Sequence, residues 1–506
     1  MRHTLPWRAL AVALSSTLIA ACHPAGSTPR APPGEIVVDT AARISALHPD
    51  QLGLNLGVWY DVTTPGLPAE LAQVGAHVVR WPGGSIADTE HWERHTQCNG
   101  KSSQPAYHPQ STFSNFMSHL AVPGDYGVAL TVAYGTNPAC NGGGDPREAA
   151  AWVAYVKAHG FGPRVRFWTV GNESFGDWET DMHAQPHDPG TYAAAMNGAD
   201  GYYALMKAAD PTARVGVVVS GDSSSDPWDS IVLSKAPYDF VEMHWYAQTP
   251  GKEDDDYLLH AAPNDFAQRI ANVKEALAAW GKPDTPIMVG EMNSVAFDAG
   301  KQSVSIVNAL FTGEVLAEGL ERGVALQVWW FGDGGSQGCN KNNSASLYGF
   351  QQWGSYDLVF GNTAYNYNSC TNNSGGPIVP EGTVSPSGQA YKMVSQFIAN
   401  GGSMLSTASG SADVRAYAAS VGTGYSLLLL NLSATTPANM RVTLNGAAGA
   451  AGATYTETDL VYGKAQYDQS RDNKWPGPTS QSVGGVGNVF PVTLPPWSIS
   501  LIRLQH

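Results

Sequence analysis

Two glutamates stand where apolar runs give way to polar residues. Glu173 closes Trp168-Thr169-Val170-Gly171-Asn172-Glu173, and Glu291 closes Ile287-Met288-Val289-Gly290-Glu291. A carboxyl pair can cleave an acetal: one group protonates the departing oxygen, while the other stays ionised to meet the positive charge developing at the anomeric carbon. Their environments must then split the two pKa values. Other residues with suitable chemistry end similar runs. These are Arg80 and Trp81 in Arg80-Trp81-Pro82-Gly83-Gly84, Asn172 beside Glu173, His244 and Tyr246 in His244-Trp245-Tyr246, and Trp330 in Trp329-Trp330-Phe331. Arg80 is expected to favour the ionised form of Glu291, and Tyr246 or His244 to donate a hydrogen bond to it.

Such residues need elements that bring them to one place. Eight β-branched or apolar runs fit strands: Gly53 to Tyr60, His77 to Gly84, Gly127 to Gly135, Val165 to Glu173, Val215 to Gly221, Phe240 to Tyr246, Pro286 to Asn293 and Val324 to Phe331. Between them lie Ala-rich segments of helical period, including Pro146 to His159, Pro189 to Ala208, Asp265 to Trp280 and Ser303 to Arg322. This alternation predicts an α/β fold, a (β/α)8 TIM barrel over residues 46–399, whose working residues sit at the C-terminal ends of its strands. A doubly wound sheet is the alternative, but no Gly-rich dinucleotide fingerprint follows the first strand. Strand alternation allows only one of Trp329 and Trp330 to face inward, and Trp330 is assigned as the sugar platform. Trp81 is counted with the substrate contacts, packing being its alternative role. From residue 400 to 506 short alternating strands separated by Gly, Ser, Thr and Asn predict an all-β sandwich, which the strand-like start of segment 35–45 joins.

The motifs resemble those of clan A glycoside hydrolases, whose barrels carry Gly-Asn-Glu at strand four and a second Glu ending strand seven. The closest likeness is to the α-L-arabinofuranosidases of family fifty-one, through RWPGG near HWE (His91 to Glu93), VGNESFGDWE (Val170 to Glu179), HWY and GEMNS. The resemblance covers nearly all of the chain beyond its N-terminal leader. It implies a retaining O-glycosyl hydrolase with Glu173 as acid/base and Glu291 as nucleophile, and substrate contacts at Arg80, Asn172, His244 and Tyr246. Two departures fall on substrate contacts. Ser85 follows Pro-Gly-Gly where the family usually has Asn, and strand one ends in Val58-Trp59-Tyr60 where a carboxylate holding sugar hydroxyls is expected. The rivals within the clan are therefore an endo-β-glycanase and a β-xylosidase. Outside it stand a surface carbohydrate-binding lipoprotein without catalysis, which the presence of both carboxylates argues against, and a solute-binding lipoprotein, which would have two lobes.

Composition fits a neutral, hydroxylated ligand. Charged residues make up 14% of the 506, with 15 Trp and 21 Tyr, and the net charge of −15 disfavours nucleic acid and anionic membrane surfaces. Arg2, His3 and Arg8 precede a largely apolar run to Ala21, too short to span a bilayer, so residues 1–21 read as an export signal. The run ends in Ile19-Ala20-Ala21-Cys22, the pattern of a bacterial lipobox, so Cys22 is expected to carry lipid and residues 22–34 to form a Pro-rich tether. The expected setting is the bacterial cell envelope, with membrane contact only through that anchor. Four further cysteines allow two disulfides among three connectivities, and their loop positions favour Cys98–Cys140 and Cys339–Cys370. No Cys-x-x-Cys pair points to a metal, the acidic run Glu253 to Asp256 reads as a solvated loop, and the reaction calls for no cofactor.

Overall fold

The computed structural model describes residues 31–100, 106–334, 336–339, 344–351, 353–361, 379–446 and 454–505. Eight parallel strands close into a barrel: β1 (Leu52–Asn55), β2 (Val78–Trp81), β3 (Gly127–Val132), β4 (Val165–Val170), β5 (Val215–Val218), β6 (Phe240–Gln248), β7 (Ile287–Val295) and β8 (Leu326–Trp329). All eight expected strands are present. Several end earlier than expected because glycines turn the chain at once: Gly83 and Gly84 after β2 have φ of 88° and 59°, and Gly171 after β4 has 79°.

The helices between the strands start at a recurrent signal, an oxygen-bearing side chain followed by proline. Asp145, Asp188, Asp226 and Ser385 each cap the helix that begins with the next residue, Pro146, Pro189, Pro227 and Pro386 respectively. The single helix expected over Pro189 to Ala208 is instead two, Pro189–Met196 and Tyr202–Ala209. The break falls at Gly198, which adopts φ 86° and receives the Asn197 side chain on its amide.

Inside the barrel, Val78, Ala129, Phe167, Phe240, Met288, Leu326 and Val328 form an apolar floor. Phe240 fills it because Gly216 leaves room on β5, where a Cβ would overlap the ring. Side chains two residues further along each strand lie one layer higher on the same inner face, and there the lining becomes polar: Arg80 on β2, Thr169 on β4 and Glu242 on β6, all buried.

The C-terminal domain is a nine-stranded, mostly antiparallel sheet. The N-terminal strand Glu35–Leu47 lies within it, antiparallel to Gly402–Ser409 and parallel to Ala438–Asn445. The two layers expected of a sandwich are here one continuous sheet curled over its own core. Its edge strand Val489–Leu494 returns to contact Gly424–Asn431, and the Asn431 amide donates to the Leu494 carbonyl. Alternation along Gly424–Asn431 divides the leucines between two cores: Leu427 and Leu429 face the curl, while Leu428 and Leu430 face the barrel helices. Gly313 on helix Ile306–Glu321 lets that helix lie close to the sheet, where a Cβ would meet Ile499 at 3.1 Å. No helix among the described residues is long and apolar enough to cross a membrane.

Candidate active site

The barrel gathers the residues singled out by motif at one rim. Arg80 is fully buried and its planar group holds four strands together. Nη1 donates to Asn55 Oδ1 of β1 and to Glu291 Oε1 of β7, both at 2.9 Å, and Nη2 donates to Asn172 Oδ1 just beyond β4 at 2.8 Å. Its Nε lies 2.9 Å from Glu242 Oε1 of β6. Glu291 is fixed from both sides, since the Tyr246 hydroxyl donates to its Oε2 at 2.8 Å. Glu173 sits in the turn after β4 with φ 42°, a left-handed backbone that a side chain other than glycine's adopts at a cost. Its Oε1 is 2.9 Å from His244 Nδ1, and its Oε2 accepts the Trp178 indole N–H at 2.6 Å. One oxygen each of Glu173 and Glu291, with a nitrogen of His244, lie within 4.8 Å of one another. The Glu173 side chain keeps 18% of its exposure against 7% for Glu291, so it is the outer member of the pair.

The charges are strongly coupled. Burial disfavours a cationic His244, but the Glu291 charge and hydrogen bonds to Glu173 and Glu242 outweigh it and push the imidazole up to about 10. Glu242 is driven down to about 2: burial opposes its ionisation, and Arg80 and His244 overcome that. For Glu173 burial is likewise overcome, by His244 and the Trp178 N–H, and its carboxyl sits below the ordinary value. Burial raises Glu291 above the ordinary value despite His244 and Arg80. The two carboxyl values are split, but in the sense opposite to that expected of a protonated acid and an ionised nucleophile. Arg80 does favour the ionised Glu291, but desolvation prevails. These directions favour an ionised Glu173 facing a cationic His244.

Trp81 also departs from expectation. It is fully buried, stacked on Phe116 with centroids 5.1 Å apart and edge-on to Trp152, so it packs behind β2 and does not reach the rim. Adjacent strand residues face opposite ways, so Arg80 pointing inward sends Trp81 outward. Trp329 is buried and Trp330 half-buried, its ring 2.9 Å from where a Cβ on Gly84 would stand, which leaves Trp330 at the rim as expected. The HWE motif is structural: buried His91 pairs through Nδ1 with Glu148, and Trp92 stacks on Trp152. The acidic run works as loop and cap, with Asp254 capping Asp255–His260 and Asp255 accepting from Gln302 and the Tyr348 amide.

Four residues at the site were not singled out from sequence. Asn55 and Glu242 hold Arg80, Trp178 holds Glu173, and buried Glu179 accepts from Asn172 Nδ2 at 3.0 Å and Ser85 Oγ at 2.7 Å. Asn55 and Glu242 had a readable signal, a polar residue on the inner face of an apolar strand. Two groups of metal-ligating side chains converge among the described residues. In one, His91 adjoins Cys98 and Cys140, which are joined in the expected disulfide. The other is Glu173, His244 and Glu291, where the Arg80 guanidinium already pairs with Glu291 and would repel a cation. The pairing of Cys339 with Cys370 and the lipobox at Cys22 lie outside the described residues.

Solved structures share this architecture. The thermostable family 51 α-L-arabinofuranosidase of Thermotoga petrophila superposes with a TM-score of 0.67 at 16% identity, covering 93% of this chain and 100% of that one. An α-L-arabinofuranosidase from Thermotoga maritima, in complex with arabinose, gives 0.66 at 16% over the same shares. The chain has the clan A hydrolase fold. A family 44 xyloglucanase from Paenibacillus polymyxa shares it too, with a TM-score of 0.63 at 13% identity over 94% of this chain and 100% of that one. No protein-family model and no curated protein matches the chain by sequence. The likeness read from short motifs is thus matched in three dimensions across the barrel and the β-domain.

Proposed function

We propose that the protein is a retaining O-glycoside hydrolase in which Glu173 is the acid/base and Glu291 the nucleophile. The observation that carries this reading is the approach of the two carboxylates within 4.8 Å, the spacing of retaining pairs, which leaves no room for a water between carboxylate and sugar. Glu291 attacks the anomeric carbon as the glycosidic oxygen leaves with a proton from Glu173. Water activated by Glu173 then releases the sugar from Glu291. The substrate proposed first is an α-L-arabinofuranoside in plant-wall or microbial polysaccharide. A second reading, an endo-β-glycanase or β-xylosidase, is favoured by the departures from the arabinofuranosidase pattern: the Ser85 hydroxyl is engaged by Glu179, and Tyr60 donates to buried Asp333. Aryl arabinofuranoside, xyloside, glucoside, galactoside and glucuronide, tested alongside polymeric glucan and xylan, separate the two readings.

The roles are tested with azide. Glu291→Ala should lose turnover on every substrate. Glu173→Ala should still be glycosylated by an activated aryl glycoside and then stall, and azide should restore turnover and yield a glycosyl azide of retained configuration. An azide product of inverted configuration reverses the assignment. We place the enzyme in the bacterial envelope with lipid on Cys22; Cys22→Ser should release it from membranes, and retention there would refute the anchor.

A further inference from the structure

Glu242 takes no part in the two-carboxylate reaction, yet it is among the most buried charges in the barrel, with a side chain only 1% exposed. It lies one layer below the rim, on the same face of β6 as His244 and Tyr246. Its Oε1 is 2.9 Å from Arg80 Nε and 3.0 Å from His244 Nε2, and Thr169 donates to its other oxygen. The backbone makes room for it: a Cβ on Gly290, the residue before Glu291, would overlap Oε1. Arg80 Nη2 also stands 3.4 Å from His244 Nε2. A guanidinium and an imidazolium that close repel each other, unless an anion is shared by both.

We propose that Glu242 is a positioning residue that keeps His244 protonated, so that the imidazolium stores the proton used to protonate the leaving group. This rests on the hydrolase reading above. In the resting site the proton is on Nδ1, facing ionised Glu173. When a glycoside binds, the proton passes to Glu173 and then to the glycosidic oxygen as its bond to the anomeric carbon breaks and Glu291 forms its own. His244 is left neutral. In the second half Glu173 takes a proton from water as the water oxygen displaces Glu291, and that proton returns to His244. The charged or titratable groups facing His244 are Glu173, Glu242, Glu291, Arg80 and Tyr246, from β2, β4, β6 and β7 or the turns that follow them. Glu291 also reaches both His244 and Arg80, but at 3.7 Å from the ring, whereas Glu242 bridges them with a single oxygen, 3.0 Å from His244 Nε2 and 2.9 Å from Arg80 Nε.

The test uses the wild-type protein labelled with 15N-histidine, the His244 signal being assigned by its loss in His244→Asn. Both ring nitrogens should report imidazolium well above the ordinary histidine value of about 6.5. A neutral ring at about pH 8 overturns the proposal whatever the enzyme's substrate. Glu242→Gln keeps the shape and removes the charge. It should lower kcat/KM for phenyl glycosides by about 100-fold, but for dinitrophenyl glycosides, which need little protonation, by less than about fivefold. It should also move the alkaline limb of the pH profile down by at least about one unit. Equal losses on both leaving groups with an unmoved limb assign Glu242 a merely structural role and overturn the proposal. If the wild type cleaves no aryl glycoside, the hydrolase reading fails, while the histidine signal still decides the protonation of His244.

Discussion

Tyr246→Phe isolates how the site keeps Glu291, the proposed nucleophile, charged. Glu291 is pushed up by burial and is held in the ionised form by two direct donors, Arg80 on Oε1 and the Tyr246 hydroxyl on Oε2 at 2.8 Å. The substitution removes the second donor and nothing else of the ring. A hydrogen bond to a charged acceptor is worth about 1.5–3 kcal/mol. At about 1.4 kcal/mol per factor of ten, its loss should reduce kcat/KM roughly 10- to 150-fold. The same energy appears in the titration, and the sign is fixed: the hydroxyl favours the carboxylate, so its removal raises the Glu291 pKa further. The proposed reaction requires the ionised form, so the acidic limb of the kcat/KM profile should move to higher pH. The assay is initial-rate hydrolysis of the best aryl glycoside across pH, with thermal unfolding of both proteins to confirm intact folding. A variant within threefold of wild type, with an unmoved acidic limb, would refute the claim that this hydrogen bond sets the charge on Glu291.

Trp330→Ala should raise KM by roughly 2- to 12-fold, the worth of an aromatic contact of about 0.5–1.5 kcal/mol, whereas Trp81→Ala should leave KM near wild type and cost about 3–5 kcal/mol of stability in a denaturant titration. Cys98→Ser with Cys140→Ser opens a disulfide between residues 42 apart and should cost about 2–4 kcal/mol by the same titration. Glu314, buried between helix Ile306–Glu321 and the sheet, pairs with Arg415 at 2.7 Å and is pushed up to about 7 by burial. Its folded value exceeds its unfolded one, so its stabilisation is present below about pH 4 and lost as pH rises through about 7. Tm should therefore fall between about pH 5 and about pH 8, and Glu314→Gln should flatten that fall.

The eight-stranded pattern and the two glutamates were legible because each rests on a local signal: an apolar run, a turn rich in glycine, a polar residue at the strand end. Tyr246 and Arg80 were readable for the same reason, and the structure puts both on Glu291. What sequence missed lay one layer deeper. Glu242 sits two residues before His244 inside Phe240-Val241-Glu242-Met243-His244, and a period of two already placed both on one face. Strand ends were the only positions read for chemistry, so a charge inside the strand went unread. Trp81 shows the converse limit, since a motif names residues without saying which way each one faces. The balance between burial and charge at Glu291 could not be read at all. It depends on five groups brought together from three strands and the turn after β4, and no local spacing encodes how deep each will lie.

The layering explains why these residue types are needed. An apolar floor of Phe240, Phe167 and Met288 excludes water from below, so every charge above it must be answered by another side chain. Two carboxylates, Glu242 and Glu291, then meet a single arginine, whose Nη1, Nη2 and Nε reach β7, Asn172 in the turn after β4, and β6 in one plane. A lysine has the charge but not the fork, and could not span those directions. Once Arg80 is committed to Glu242 below and Glu291 beside it, the charge left for Glu173 has to come from His244, which is where the structure places it. Glu173, the proposed acid/base, is thereby paired with a residue two strands away, and that residue is held in turn by Glu242 beneath the rim.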